Sequence, residues 1–345
     1  MKVKILVIGV GNMGSSHARA YHAWSGFELV GLVARHDTRK DTLSKEMGGV
    51  SVYADYKQAI EETSPDAISI NTYPETHEEI ALYGLNAGLH VFLEKPMATS
   101  VEGALRIKHT AEKKNLKVVV GYILRHHPSW IKFTKLAQGL GSPLVLRMNL
   151  NQQSYGELWQ THKNLMKSMS PIVDCGVHYV DIMCQMTQSK PVQVYATGSR
   201  LTPEISEDMY NYGMLQVTFE DGSIGWYEAG WGPMMSTTAY FVKDVIGPGG
   251  SVSIVEPQHE GGDIENHVKT SRMLLHHTDP AKEDQWIDVS EEPDHQELCE
   301  LEQKYFYKAI HEDIDLAKHL DDAVNSLKIV LAADQSIRAN RIVTL

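Results

Sequence analysis

Cysteine is scarce: Cys175, Cys184 and Cys299 are the only three in 345 residues, and they form neither a CxxC pair nor a spaced framework. That argues against a disulfide scaffold or a zinc knuckle and makes a reducing cytoplasm the expected setting. Long apolar runs are also missing. The apolar stretch within Met1 to Val10 is too short for a signal-peptide core and runs straight into glycines, and no later run reaches the roughly 20 residues that span a bilayer. Nor is there a basic surplus, since 32 Lys and Arg stand against 44 Asp and Glu, for a net charge of -12. General binding to nucleic acid or to an anionic membrane is therefore not expected. No HExxH or similar ligand spacing occurs, and the adjacent pairs His126-His127 and His276-His277 direct their side chains apart, so no catalytic metal is expected. The lack of G-x-S-x-G removes the usual signature of a serine nucleophile.

What is present is ordinary globular composition, 42% apolar and 22% charged, in a chain long enough for about two domains. Lys4 to Gly9 reads as a strand buried on both faces, followed by a glycine turn and a helical pattern from Met13 to Trp24. Strands at Glu28–Ala34, Ala67–Asn71, His90–Leu93 and Val118–Tyr122 then alternate with helices at Arg39–Met47, Tyr56–Thr63, His77–Ala87 and Val101–Lys114. Such alternation predicts a parallel, doubly wound α/β sheet over residues 1–123. Beyond it, residues 124–345 read as an α+β domain. Hairpins turn at Asp221-Gly222 and around Gly247 to Gly250, and helices lie around Glu297 to His311 and Asp321 to Ala339. Pro257 to His295 reads as a polar excursion poor in strand signals.

Three segments carry candidate chemistry. Gly9-Val10-Gly11-Asn12-Met13-Gly14 satisfies GxGxxG between a strand and a helix. There the glycines permit a tight turn, close approach of backbone to a pyrophosphate and close helix packing. At the end of the second strand Ala34 stands where an acid would accept the ribose 2'-hydroxyl, and Arg35, with Arg39 and Lys40 behind it, offers cations to a 2'-phosphate. NADP is thereby favoured over NAD. Asp37 reaches the ribose instead if the register slips, and Arg39 and Lys40 read equally well as a solvated helix entry. Glu94-Lys95-Pro96 follows the fifth strand, at the sheet edge where ligands of such folds bind; a partly buried lysine beside a cationic ring exchanges protons near neutrality. Asp174 and His178 lie four apart on a predicted helix, with Asp181 a turn further on. The spacing suits an acid-base pair for removing a hydroxyl proton, and equally a core histidine with a capping aspartate.

Taken together, and in this order, these segments resemble the glucose-fructose oxidoreductase and inositol dehydrogenase family, also written Gfo/Idh/MocA. The likeness runs from the Gly9 to Gly14 loop to the last helix. It implies a Rossmann domain followed by an α+β domain whose open, mostly antiparallel sheet forms a homo-oligomer, a dimer or tetramer. It also implies NAD(P)-dependent oxidation or reduction at a secondary hydroxyl or ketone of a sugar, sugar derivative or cyclitol. By the resemblance Lys95, Asp174 and His178 form the catalytic group, with His178 or Lys95 handling the proton. Tyr122 and Arg125 lie near the nicotinamide, and Asn71, Tyr73, Pro74, His77 and Glu94 along the cofactor. Where relatives carry a glycine-rich stretch, this chain has Ser168 to Val173, which reshapes the substrate pocket. In Gln152 to Met169, Tyr155, Trp159, His162 and Lys163 read equally as hydroxyl-binding and stacking groups or as anchors of a surface loop.

Two other functions fit the same motifs: a glycosidase that oxidises a ring carbon transiently, and a cofactor-binding sensor without turnover. Retention of Lys95, Asp174 and His178 together weighs against the sensor. The charge is unevenly spread, with 14 acidic residues between Glu256 and Gln303 against Lys269, Arg272 and Lys282. The remainder is close to neutral, so the acidity reads as a solvated face of the second domain and leaves Arg35 to Lys40 able to hold a phosphate.

Overall fold

Continuous apolar runs make the strands of the first sheet, and their burial on both sides follows from the helices that connect them. In the computed structural model, which describes residues 2–35, 39–236, 242–255 and 272–345, β1 (Val3–Ile8) leads into α1 (Asn12–Ala23). After β2 (Phe27–Val33) come α2 (Lys40–Glu46), β3 (Val52–Tyr53), α3 (Tyr56–Thr63), β4 (Ala67–Ile70), α4 (His77–Asn86), β5 (His90–Leu93), α5 (Val101–Lys114) and β6 (Val118–Val120). The strands lie in the order β3-β2-β1-β4-β5-β6 and every pair is parallel. The expected elements form within a residue or two of their predicted limits; β3, only two residues long, is the one strand not foreseen.

The second sheet is built differently. Helix α6 (Pro128–Gln138) precedes β7 (Val145–Gln153), and α7 (Gly156–Leu165), α8 (Pro171–Asp174) and α9 (Gly176–Thr187) precede the strands β8 (Pro191–Ser199), β9 (Tyr212–Phe219), β10 (Ile224–Gly232), β11 (Lys243–Gly247), β12 (Gly250–Val255), β13 (Arg272–His277) and β14 (Gln285–Asp288). Both predicted hairpins are present, β9 with β10 and β11 with β12. The region read as poor in strands is corrected by β13 and β14, which extend the sheet beyond β12. Their alternation is blunted by polar residues because an edge hairpin buries little of either face; residues 256–271 lie outside the described part.

The chain closes with α10 (His295–His311), α11 (Ala317–Ala339) and β15 (Val343–Thr344), the last pairing with β8. The sheet order is β14-β13-β12-β11-β7-β10-β9-β8-β15, antiparallel except for β7 with β10. The chain forms two units, one of Met1–His126 with Pro293–Val324, the other of His127–Glu292 with Asn325–Leu345. Residues 293–324, expected in the second domain, thus pack with the first. Phe306 of α10 explains this, because its ring lies 6.3 Å from Phe27 and 6.1 Å from Phe92 in a core shared with Tyr21, Val119 and Ala309. An Asp294–Glu297 capping box starts that helix.

Phe306→Ala should destabilise the first unit by about 3–5 kcal/mol through lost burial and the cavity left behind. Urea unfolding followed by circular dichroism checks this, and an unchanged midpoint contradicts the packing assigned to α10.

Candidate active site

In the first unit the site begins with backbone. Gly9 takes φ +88°, and a Cβ there would lie 2.6 Å from Asn71 O; at Gly14 a Cβ would lie 2.0 Å from Gly9 O. Both glycines are therefore required by close approach of chain to chain. Gly11 differs, since a Cβ there meets nothing within 4 Å. Helix α1 starts at Asn12 with no side-chain cap and no acid in its first turn, so its leading amides are left for an anion. The open cradle at Gly11 and these amides fit a pyrophosphate.

Next to the loop, Ala34 is buried and its N–H donates to Tyr53 O (2.9 Å). Arg35 is exposed, and Arg39 Nη1 donates to Asn12 Oδ1 at 2.6 Å, which places that guanidinium beside the start of α1. Asp37 lies outside the described residues. The strand order sets the loops after β1, β4 and β5 side by side along the carboxyl edge. After β4, Asn71 N–H donates to Ile8 O (2.8 Å) and its amide to Ser69 O (3.1 Å); Tyr73 is exposed and Pro74 buried. His77 is fully buried, with Nδ1 2.9 Å from Pro96 O and Nε2 3.0 Å from Thr72 O. Burial holds its pKa below the ordinary value against the pull of those carbonyls; a neutral imidazole has a single N–H, so the ring donates to one of the two carbonyls and packs against the other.

Beyond β5, Glu94 turns inward. Its Oε1 lies 2.7 Å from His17 Nε2, and its Oε2 accepts the Lys95 N–H at 3.1 Å. Burial alone would push this carboxyl up, but the hydrogen bond from His17, the charge of Lys95 and the Lys95 amide outweigh it and hold the group below its usual range. Lys95 is half-buried and followed by a cis bond to Pro96. Tyr122 is buried with the Arg125 guanidinium 4.8 Å from its ring centre, and Arg125 Nη1 donates to His319 O (3.3 Å).

The second unit holds the other candidates. Asp174 ends α8 and His178 lies in α9; the single expected helix is interrupted at Cys175, where His178 N–H donates to Cys175 O (3.3 Å). Both side chains are half-buried, while Asp181 is fully buried. Gln152 Oε1 accepts from Trp231 Nε1 (2.8 Å) and from the Cys175 thiol (3.4 Å). The Trp231 ring stacks on His162 at 4.4 Å and 9°, and His162 Nδ1 is 3.0 Å from Ser154 Oγ. Trp159 Nε1 meets Glu204 at 3.3 Å, and Lys163 Nζ donates to the same carboxylate at 2.7 Å. Trp159 and His162 are thus both buried, each held by a partner outside α7. Gln152, Trp231 and, in the first unit, His17 and Gln303 escaped the sequence reading, because each is fixed by a partner distant in the chain.

A Rossmann unit with an open glycine cradle, joined to a unit built on a mostly antiparallel sheet, defines a dinucleotide-binding protein. Residues 3–122 match the model of the oxidoreductase family with an NAD-binding Rossmann fold, and residues 136–243 match the GFO/IDH/MocA C-terminal domain. The chain belongs to the Gfo/Idh/MocA family. It is 30% identical over 190 residues to an inositol 2-dehydrogenase of Klebsiella pneumoniae, covering 53% of this chain and 54% of that one. A UDP-N-acetylglucosamine 3-dehydrogenase of Acidithiobacillus ferrooxidans is 30% identical over 192 residues, 56% of each chain. The chain thus spans about half the length of these relatives. Among solved structures, scyllo-inositol dehydrogenase from Lactobacillus casei, with bound NAD(H) and scyllo-inositol, superposes with a TM-score of 0.81 at 20% identity, covering 100% of this chain and 99% of that one. No helix among the described residues is long and apolar enough to cross a membrane.

Gly11→Ala should leave stability within about 1 kcal/mol while weakening nucleotide binding, whereas Gly14→Ala should lower the melting temperature as well. Thermal melts with and without NAD separate the two effects; equal stability of both variants contradicts the assigned contacts.

Two buried histidines set an acid limit. His126 is pushed down to about 3 by burial and then by the charge of Arg125, and His162 down to about 4 by burial against the opposing pull of Asp174. Both folded values lie below the ordinary 6.5, so the unfolded chain binds more protons in between. Their contribution is complete above that pH and is lost as pH falls towards the folded values. The urea midpoint should therefore drop between pH 7.5 and pH 5, and less so in His162→Gln.

Proposed function

We propose that the protein is an NAD(P)-dependent oxidoreductase that transfers hydride between a nicotinamide and a secondary hydroxyl or ketone of a sugar, sugar derivative or cyclitol. One observation carries the reading: the loops after β1, β4 and β5 stand side by side, so the open cradle at Gly11 and the Lys95 side chain share one sheet edge. The glycine loop and the leading amides of α1 hold the pyrophosphate; Asn71, Tyr73 and Pro74 border the nucleotide; and Tyr122 and Arg125 border its nicotinamide end. When bound, the nicotinamide supplies the hydride acceptor at C4. Lys95 Nζ or the His178 imidazole takes the hydroxyl proton as the carbon loses hydride, and Asp174 orients His178. Trp159 and His162 are the second unit's candidates for binding the carbohydrate. The relatives named above act on cyclitol and sugar-nucleotide hydroxyls, which supports this substrate class.

Arg35, exposed just after β2, and Arg39, beside the start of α1, support NADP as the preferred cofactor. The second sheet supports a homo-oligomer, a dimer or tetramer, because Tyr195 and Met214 stand exposed on one face of it.

NADP should raise the melting temperature more than NAD at equal concentration, and Arg39→Ala should narrow the difference. Against a panel of inositols, hexoses and sugar nucleotides, Lys95→Ala should lower kcat by about a hundredfold or more. Unchanged turnover in Lys95→Ala would overturn the assignment.

A further inference from the structure

Beneath the glycine loop lies a buried polar chain that no step of the proposed reaction uses. Gln303 on α10 places its Nε2 2.9 Å from His17 Nδ1 and donates to it; His17 Nε2 lies 2.7 Å from Glu94 Oε1; and Glu94 Oε2 accepts the Lys95 N–H at 3.1 Å. A carboxylate only accepts, so the ring nitrogen facing Glu94 carries the proton. That leaves Nδ1 as the acceptor for the Gln303 amide. Gln303 and His17 are buried to within 1% of full, and Glu94 is 6% exposed, so water does not compete for these bonds.

We propose that Gln303 and His17 are positioning residues for Lys95. The amide fixes the imidazole, the imidazole fixes the Glu94 carboxylate, and the carboxylate fixes the peptide from which the Lys95 side chain leaves. The inference rests on the reading of Lys95 as a proton-transferring group. It also gives α10 a reason to return from the far end of the chain, and a second bond holds the same helix in place, Gln296 Nε2 donating to Ser16 O at 3.0 Å.

The groups around the chain are consistent with this role. Tyr21 on α1, Ser69 on β4, and Cys299 and Glu302 on α10 surround it. Burial, and then the charge of Glu94, push the Glu302 carboxyl well above its usual range. Glu94, held below its usual range, is the carboxylate that accepts the Lys95 N–H. His17, Cys299 and Glu302 also bring ligand-type atoms within 4.8 Å of one another, but both ring nitrogens of His17 are already engaged by Glu94 and Gln303, which favours the positioning role over a metal.

The test compares Gln303→Met, which keeps the volume without the amide, with His17→Phe, His17→Gln and Glu302→Gln in the full chain. Two quantities are read: steady-state kinetics, and the rate at which acetic anhydride acetylates Lys95 in the free protein as a function of pH, followed by peptide mass spectrometry. Gln303→Met and His17→Phe should lower kcat roughly ten- to a hundredfold, with KM changed by less than about threefold. They should also displace the Lys95 acetylation curve by about half a pH unit or more. His17→Gln, which still donates to Glu94, should recover most of both, and Glu302→Gln should change neither. If His17→Phe does not fold, Gln303→Met carries the test, because it removes one bond and no volume. A folded Gln303→Met with the wild-type Lys95 curve and wild-type kcat overturns the proposal. Should Lys95→Ala itself retain turnover, the catalytic reading fails first, and the acetylation curves still decide whether the chain positions Lys95.

Discussion

In the first unit backbone packs on backbone at the glycine loop, the Cα of Gly14 against the carbonyl of Gly9, with Gly9 itself pressed against Asn71. A methyl group at either glycine would stand 2.0 to 2.6 Å from a carbonyl oxygen, so the start of α1 and the ends of β1 and β4 are held together with no side chain between them. Everything proposed for the site depends on that contact. It aims the free amides of α1 outward, it brings the loop after β4 under the glycine turn, and it sets His17, one turn along α1, over the end of β5.

From that point the polar structure is continuous. His17 joins α1 to Glu94, and the buried His77 ring lies between the Thr72 and Pro96 carbonyls, so buried histidines flank the turn bearing Lys95. The His17 contacts depend on exclusion of water, which the aromatic core provides through Phe92, whose ring lies 4.8 Å from His17 and 6.1 Å from Phe306. The return of α10 to the first unit is thus a requirement of the site as well as of the core. A domain made only of the first 123 residues would leave Phe27 and Phe92 without Phe306, and His17 without Gln303.

Much of the fold was legible because local signals agreed with it. The parallel strands are apolar throughout, the glycine loop has an unambiguous spacing, and α3 and α5 are capped by Asp55 and Ser100 at their predicted starts. Less was legible where structure rests on distant partners. Residue 123 looked like a boundary because the strand-helix rhythm stops there, yet periodicity in α10 says which face is buried and not against what. Strands β13 and β14 were hidden by their polar composition. Within the site, Lys95 was legible from its place after β5, whereas Gln303 lies 286 residues from His17 and carries no local signal at all. Asp174 and His178 were read as one helix face; the interruption at Cys175 was invisible in a sequence whose backbone there stays near helical angles.

The central claim is that the first unit presents a hydride acceptor and a proton acceptor to one carbohydrate carbon. Its most direct test is isotope transfer from inositols and hexoses deuterated at the ring carbons, incubated with the protein and oxidised NADP or NAD, with the nicotinamide then analysed by mass spectrometry. The account predicts deuterium at C4 with at least one of these polyols, appearing about a hundredfold or more slowly with the same polyol in Lys95→Ala. Tight cofactor binding with no deuterium transferred from any of them would contradict it.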